Sequence, residues 1–262
     1  MKTAIVSNKN ISGTNDVVRR LEREFIEHGI EYDFPDINQI IESSSYDLVC
    51  AVGGDGTILK TACCFAKTKT PVLGINLGRL GFLSLLPPDN INILSEMILQ
   101  KKYEIKERIM LKSSGYIALN DFVIKGHSPQ RSTEFNLFIN GRLVSGYIAD
   151  GIIISTPTGS TAYGLSAGGP ILYPDLDAFV IVPICAHTMT ARPLVVPAAS
   201  KITVRSADEY LDAACDGQQM ISKIKEIEIE LYEYKAKLAF PAGNNFYSIL
   251  KNKLYWGISP AL

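Results

Sequence analysis

The chain has 262 residues, 47% of them hydrophobic and 20% charged, with a formal net charge of −1. This is globular composition with material for one large domain or two modest ones. A near-neutral balance sets up no field for nucleic acid or an acidic membrane surface, and no apolar run of about 18 residues predicts a spanning helix.

From the N-terminus, KTAIVS reads as a strand. The segment from Asn15 to His28 reads as an amphipathic helix, with Val17, Val18, Leu21, Phe25 and Ile26 toward one side. EYDF is a short, weak strand, and DLVCAV at 47–52 is a continuous apolar strand of the kind buried on both faces. A helix over 57–67, a strand at 71–76 and a helix over 90–99 follow. Alternating strands and helices with buried strands predict an open, doubly wound parallel sheet.

After about residue 100 the texture changes. KKYEIKERIMLKSS, GYIALNDFVIK, EFNLFINGRLVSGYIADGIIIST, AFVIVPI, PLVVPA, KITVRSA and KEIEIELYEYKAKLAF are rich in β-branched and aromatic residues. Asn140-Gly141 between two such runs is a two-residue hairpin signal. The expected organisation is an α/β Rossmann-like domain over 1–100, an all-β domain over 101–235, and a tail over 236–262 whose short helix returns to the first domain. MKTAIVSNKN has too short an apolar run for a signal peptide. Cys50, Cys63, Cys64, Cys185 and Cys215 lack C-x-x-C spacing, so reduced thiols in a cytoplasmic protein are expected.

Three stretches carry chemistry. In VCAVGGDGTILK an apolar strand breaks on Gly53 and Gly54 and then sets Asp55 before Gly56. Glycine turns ahead of a helix favour phosphate, yet a carboxylate beside phosphate is repulsive unless a divalent cation or a hydroxyl lies between them. Asp55 is therefore a base toward a substrate hydroxyl, a partner of a cation on a nucleotide, or simply an N-cap of the following helix. The spacing is neither G-x-G-x-x-G nor a Walker A loop. GINLGRLGFL repeats the theme, and its Arg79 holds phosphate oxygens or makes a surface ion pair.

The third stretch, ADGIIISTPTGSTAYGLSAGGPI, empties a buried strand into Thr156, Thr158, Ser160, Thr161 and Ser166 with glycines interleaved. Hydroxyls and open backbone N–H groups at a strand end suit phosphates, riboses or a base edge. Tyr163 stacks on a ring or fills a core gap. ALNDFVI places Asn120 and Asp121 inside an apolar strand, where an inward polar group needs a ligand or an internal hydrogen bond. His187 reads as a satisfied core histidine, and Asp216 in CDGQQ as a turn residue.

GGDGT at 53–57, LGRLGFL at 77–83, LND at 119–121, DGIIISTPTGSTAYGLSAGGPI at 150–171, HTMTARPLVVP at 187–197 and DGQ at 216–218 occur in that order. Together they resemble the NAD kinase family, with Ala149 and Ala186 as small departures from its pattern. GGDGT is shared with diacylglycerol-type lipid kinases, whereas STPTGSTAY with SAGGP is specific. A lipid kinase predicts an apolar acceptor channel, a non-catalytic NAD(P) sensor has no need of Asp55, and a dehydrogenase would carry G-x-G-x-x-G.

The resemblance implies the two-domain architecture of NAD kinases and diacylglycerol kinases, and phosphorylation of the adenosine 2′-hydroxyl of NAD by ATP. It implies Asp55 as the catalytic or substrate-orienting carboxylate. It implies NAD binding by Gly56, Asn120, Asp121, Asp150, Thr161, Ala162, Tyr163 and Ser166, with Asn120 and Asp121 on the adenosine side and Asp150 at the nicotinamide end across a subunit interface. Gly53, Gly54, Thr57, Lys60 and Arg79 are implied on the nucleotide phosphates. A divalent cation, Mg²⁺ carried by ATP, is the implied cofactor, with no protein side chain assigned to hold it. The implied assembly is a homodimer or homotetramer with shared sites, without nucleic acid or membrane partners.

Overall fold

The computed structural model describes residues 1–8, 11–35, 46–77, 81–83, 86–87, 90–128, 132–188, 190–206 and 209–255. The chain divides into two compact units, Met1–Glu107 with Ala236–Leu262, and Arg108–Lys235. The first elements in chain order are β1 (Lys2–Ser7), α1 (Thr14–Glu27), β2 (Glu31–Asp33), β3 (Leu48–Val52), α2 (Asp55–Phe65), β4 (Val72–Ile75), α3 (Ile91–Leu99) and β5 (Tyr103–Arg108). Short strands follow: β6 (Leu111–Ser113), β7 (Tyr116–Ala118), β8 (Asp121–Gly126), β9 (Thr133–Ile139), β10 (Arg142–Ala149) and β11 (Gly151–Ser155). After the short helix α4 (Tyr163–Ser166) come β12 (Ala178–Ile184), β13 (Leu194–Pro197), β14 (Ile202–Arg205), β15 (Leu211–Cys215), β16 (Gln219–Ile224) and β17 (Glu226–Leu231). The chain closes with β18 (Ala236–Pro241) and α5 (Phe246–Leu254).

In the first unit the strand order is β2-β1-β3-β4-β18-β5, and the pairs of β1 with β2 and β3, β3 with β4, and β4 with β18 are parallel. β3 is buried at all five positions, as an apolar run in a doubly covered sheet requires. Leu48, Cys50 and Val52 join Val17, Leu21 and Phe25 of α1 and Leu94 and Ile98 of α3 in one core. The i, i+4, i+8 spacing of those α1 residues gives the helix a single apolar stripe, each side chain contributing about 1.5–3 kcal/mol on burial. α2 covers the other face, where its Ile58 meets Gly74 of β4. The doubly wound expectation therefore holds.

The second unit packs two six-stranded sheets, β10-β9-β14-β17-β6-β7 and β13-β12-β11-β8-β15-β16. Phe122, Ile124, Ile152, Ile154, Phe179 and Ile181 of one sheet share a core with Phe135, Leu137, Ile202, Val204, Ile227 and Ile229 of the other. Inward residues alternate along each strand, as a sandwich demands. β11 is apolar on both faces, and its Ile153 faces outward into a smaller cluster with Val123, Val180, Val182 and Leu172. The segment after β11 thus folds back and covers this outer face. The β9–β10 hairpin turns on Asn140 and Gly141, with φ of 50° and 77°. Both lie in the left-handed region that a type I′ turn needs, as the sequence predicts.

Two local readings change. The run GYIALNDFVIK is not one strand: β7 ends at Ala118, β8 begins at Asp121, and Leu119–Asn120 form a bend. The cause is a carboxylate that takes the N–H groups of this segment in place of a strand ladder. β15 and β16 occupy residues with little strand signal, because Asp212, Ala213 and Ala214 have low strand propensity and are held by β8 alongside.

Candidate active site

The glycine turn of the first unit sits at the carboxyl end of β3. The Gly53 N–H donates to the Ile75 carbonyl at 3.0 Å, tying the turn to the end of β4. α2 begins at Asp55 itself, with extended Gly54 as its N-cap and no side-chain cap. The N-cap reading of Asp55 is therefore corrected. Its carboxylate instead accepts from the Phe82 N–H at 3.0 Å and the Leu83 N–H at 3.4 Å. These donors belong to the second glycine-rich stretch, so the two motifs that look alike in sequence are joined through Asp55. Its place in the first helical turn is also favoured by the helix dipole. Gly53 and Thr57 are buried, Gly54, Asp55 and Lys60 half-buried, and Gly56 exposed. Arg79 lies outside the described residues.

In the second unit the hydroxyls of the STPTGS segment sort into two sets. Thr156 and Ser160 are fully buried, and Thr158 is nearly so. The Thr156 hydroxyl donates to the Leu119 carbonyl at 2.6 Å and accepts from the Gly159 N–H at 3.1 Å. The Ser160 hydroxyl donates to the Pro157 carbonyl at 2.6 Å and accepts from the Leu172 N–H at 2.9 Å. These groups staple the loop and are spent inside it. Thr161 and Ala162 are half-buried, whereas Tyr163, Ser166 and Asp150 are exposed. Tyr163 is thus no core filler. His187 is exposed as well, which corrects its reading as a core histidine; it lies past the end of β12 at Ile184.

The bend at Leu119–Asp121 packs against this loop. The Asn120 carbonyl accepts from the Thr156 N–H at 2.9 Å and from the Ser155 hydroxyl at 3.2 Å. From the other side, Asp216 accepts the N–H groups of Leu119, Asn120 and Asp121 at 2.9, 2.8 and 3.0 Å. Sequence reasoning took Asp216 for a turn residue. It is one, with φ of 48° beside Gly217 at 65°, but its carboxylate does more than the turn needs. The Asp-Gly pair was the available signal; partners about a hundred residues earlier were not legible.

Asn120 is half-buried and Asp121 is 4% exposed. Burial first, and the Asp216 charge second, push the Asp121 carboxyl up to about 7. A raised carboxyl pKa costs stability above its unfolded value near 3.8. The cost grows as pH rises through the interval up to about 7 and is then constant. Asp121→Asn, which removes the charge, should therefore raise the melting temperature at pH 8 by roughly 5 °C or more and leave it nearly unchanged at pH 4. Thermal melts at the two pH values check this, and an equal effect at both would show that the charge is not the cause.

The first unit is thus doubly wound with an acid-bearing glycine turn, and the second is a β-sandwich with a hydroxyl-rich loop. Residues 5–103 match the model of the ATP-NAD kinase N-terminal domain, and residues 119–240 that of the ATP-NAD kinase C-terminal domain. Among curated relatives, an NAD kinase of Pseudomonas fluorescens is 36% identical over 97% of this chain and 95% of its own. An NAD kinase of Chromohalobacter salexigens is 39% identical over 87% and 82%. The crystal structure of an Archaeoglobus fulgidus NAD kinase in complex with ATP superposes with a TM-score of 0.81 at 28% identity, covering 96% of this chain and 98% of that one. A yeast NADH kinase complexed with NADH shares the fold, with a TM-score of 0.87 at 24% identity, covering 100% and 89%. The chain belongs to the ATP-NAD kinase family.

Proposed function

We propose that this protein transfers the γ-phosphoryl group of ATP to the adenosine 2′-hydroxyl of NAD, giving NADP and ADP. The observation that carries the reading is Asp55, an acid at the start of α2 oriented by the Phe82 and Leu83 N–H groups. A carboxylate so placed serves a hydroxyl acceptor better than a phosphate. In this reading Asp55 orients the 2′-hydroxyl and takes its proton. Gly53, Gly54, Thr57, Lys60 and Arg79 serve the nucleotide phosphates. Asn120 and Asp121 meet the adenosine of NAD, while Gly56, Thr161, Ala162, Tyr163 and Ser166 hold the dinucleotide, a reading supported by the exposure of Gly56, Tyr163 and Ser166.

A divalent cation, Mg²⁺ brought in on ATP, would neutralise charge on the transferring phosphates. Among the described residues no three His, Cys, Asp or Glu side chains gather to hold a metal ion. Asp55 is the acid this reading gives to the cation's neighbourhood. Asp150, exposed after β10, is read as reaching the nicotinamide end in a neighbouring subunit of a homodimer or homotetramer. No helix among the described residues is long and apolar enough to cross a membrane, and all five cysteines are free. We assign the reaction to the cytoplasm.

Purified protein supplied with NAD and Mg-ATP should form NADP, detected with an NADP-specific dehydrogenase. No NADP across a screen of donors and divalent cations would overturn the reading.

A further inference from the structure

We propose that Asp216 is a positioning residue for NAD: its one carboxylate fixes the main chain of Leu119–Asp121 so that the Asn120 and Asp121 side chains are held for the adenosine moiety. The inference rests on the reading of Asn120 and Asp121 as the residues that meet NAD. Every backbone N–H of this bend ends on Asp216, two on Oδ1 and one on Oδ2. The Asp216 N–H in turn donates to the Asp121 carbonyl at 3.0 Å. The remaining carbonyls are taken by Thr156 and Ser155. With the backbone satisfied on both sides, the bend has the two side chains left to offer.

One of them, the Asp121 carboxyl, belongs to a residue only 4% exposed. A carboxyl that titrates near pH 7 donates when protonated and accepts in either state, which suits a ribose hydroxyl or the edge of adenine. The ionisable groups that bear on Asp121 are Asp216 and the Cys215 thiol, both at the β15 end. Burial and the two carboxylates push that thiol up, so it stays neutral. On the β11 side Asp121 faces Ser155, which does not titrate. Asp216 is thus the charged neighbour that bears on Asp121.

Geometry and charge separate in two variants of the full-length protein. Asp216→Glu keeps the charge but displaces the carboxylate; it should raise the KM for NAD roughly tenfold, leave the KM for ATP alone, and leave the pH midpoint of NAD affinity in place. Asp216→Asn removes the charge; it should raise the KM for NAD and also move that midpoint to lower pH by about one unit. A normal KM for NAD in both variants, with Asn120→Ala and Asp121→Asn impaired, would overturn this inference and leave the NAD reading standing. If Asn120→Ala and Asp121→Asn bind NAD normally, the NAD reading itself fails. Should Asp216→Asn not fold, Asp216→Glu decides alone: a raised KM for NAD supports the role and an unchanged one overturns it.

Discussion

Asp55→Asn is expected to bind NAD nearly as well as the unaltered protein and to lose about 10²–10⁴-fold in turnover. The magnitudes separate catalysis from structure. Asn retains an acceptor for the 3.0 Å bond from Phe82 and forfeits the longer one from Leu83. One weak bond is worth about 1 kcal/mol of stability, whereas the expected loss of rate corresponds to about 3–5 kcal/mol in the barrier. Thermal melts alongside kcat and the NAD dissociation constant would register both. If turnover stays within tenfold of normal, Asp55 straps the loop at Phe82–Leu83 and does nothing more.

Gly159→Ala should be the most damaging small substitution in the second unit. A Cβ there would lie 2.2 Å from the Asn120 carbonyl oxygen, 2.5 Å from its carbon and 2.5 Å from the Ser155 hydroxyl. Two of these are backbone atoms, and the Asn120 carbonyl is held by the Thr156 N–H. Neither wall can step aside without undoing the bend that Asp216 pins. We expect a loss of about 3 kcal/mol, a melting temperature lower by roughly 6 °C or more, and a raised KM for NAD. Gly164→Ala is the control. Its nearest neighbour would be 3.8 Å away, so the same change one turn later should be near neutral. Equal behaviour of the two variants would show that the contact at Gly159 is not the constraint.

The class of fold was legible because its signals are local. The buried run at Leu48–Val52, the stripe Val17–Leu21–Phe25 and the Asn140-Gly141 turn each follow from a few neighbouring residues. What escaped depends on partners far along the chain. β18 shares the charged–apolar alternation of β17, yet it adds to the parallel sheet beside β4, a pairing no local pattern encodes. The LND bend reads as strand because its residues are apolar on either side, and the carboxylate that bends it is Asp216. The candidate site shows the same division. Glycines and hydroxyls marked the loop, but not that Thr156, Ser160 and Thr161 bond within or beside it while Tyr163 and Ser166 are exposed. Asp55 was singled out because an acid in a phosphate-type turn is chemically odd. Its N-cap alternative fell only when its acceptors were seen to face Phe82 and Leu83.

The most direct test follows the phosphorus. With NAD and Mg-ATP labelled at the γ-phosphate, the label should appear on the adenosine 2′ position of NADP, one for each ADP formed. Label released as free phosphate with NAD unchanged, or no turnover from protein that binds both nucleotides, would contradict the account.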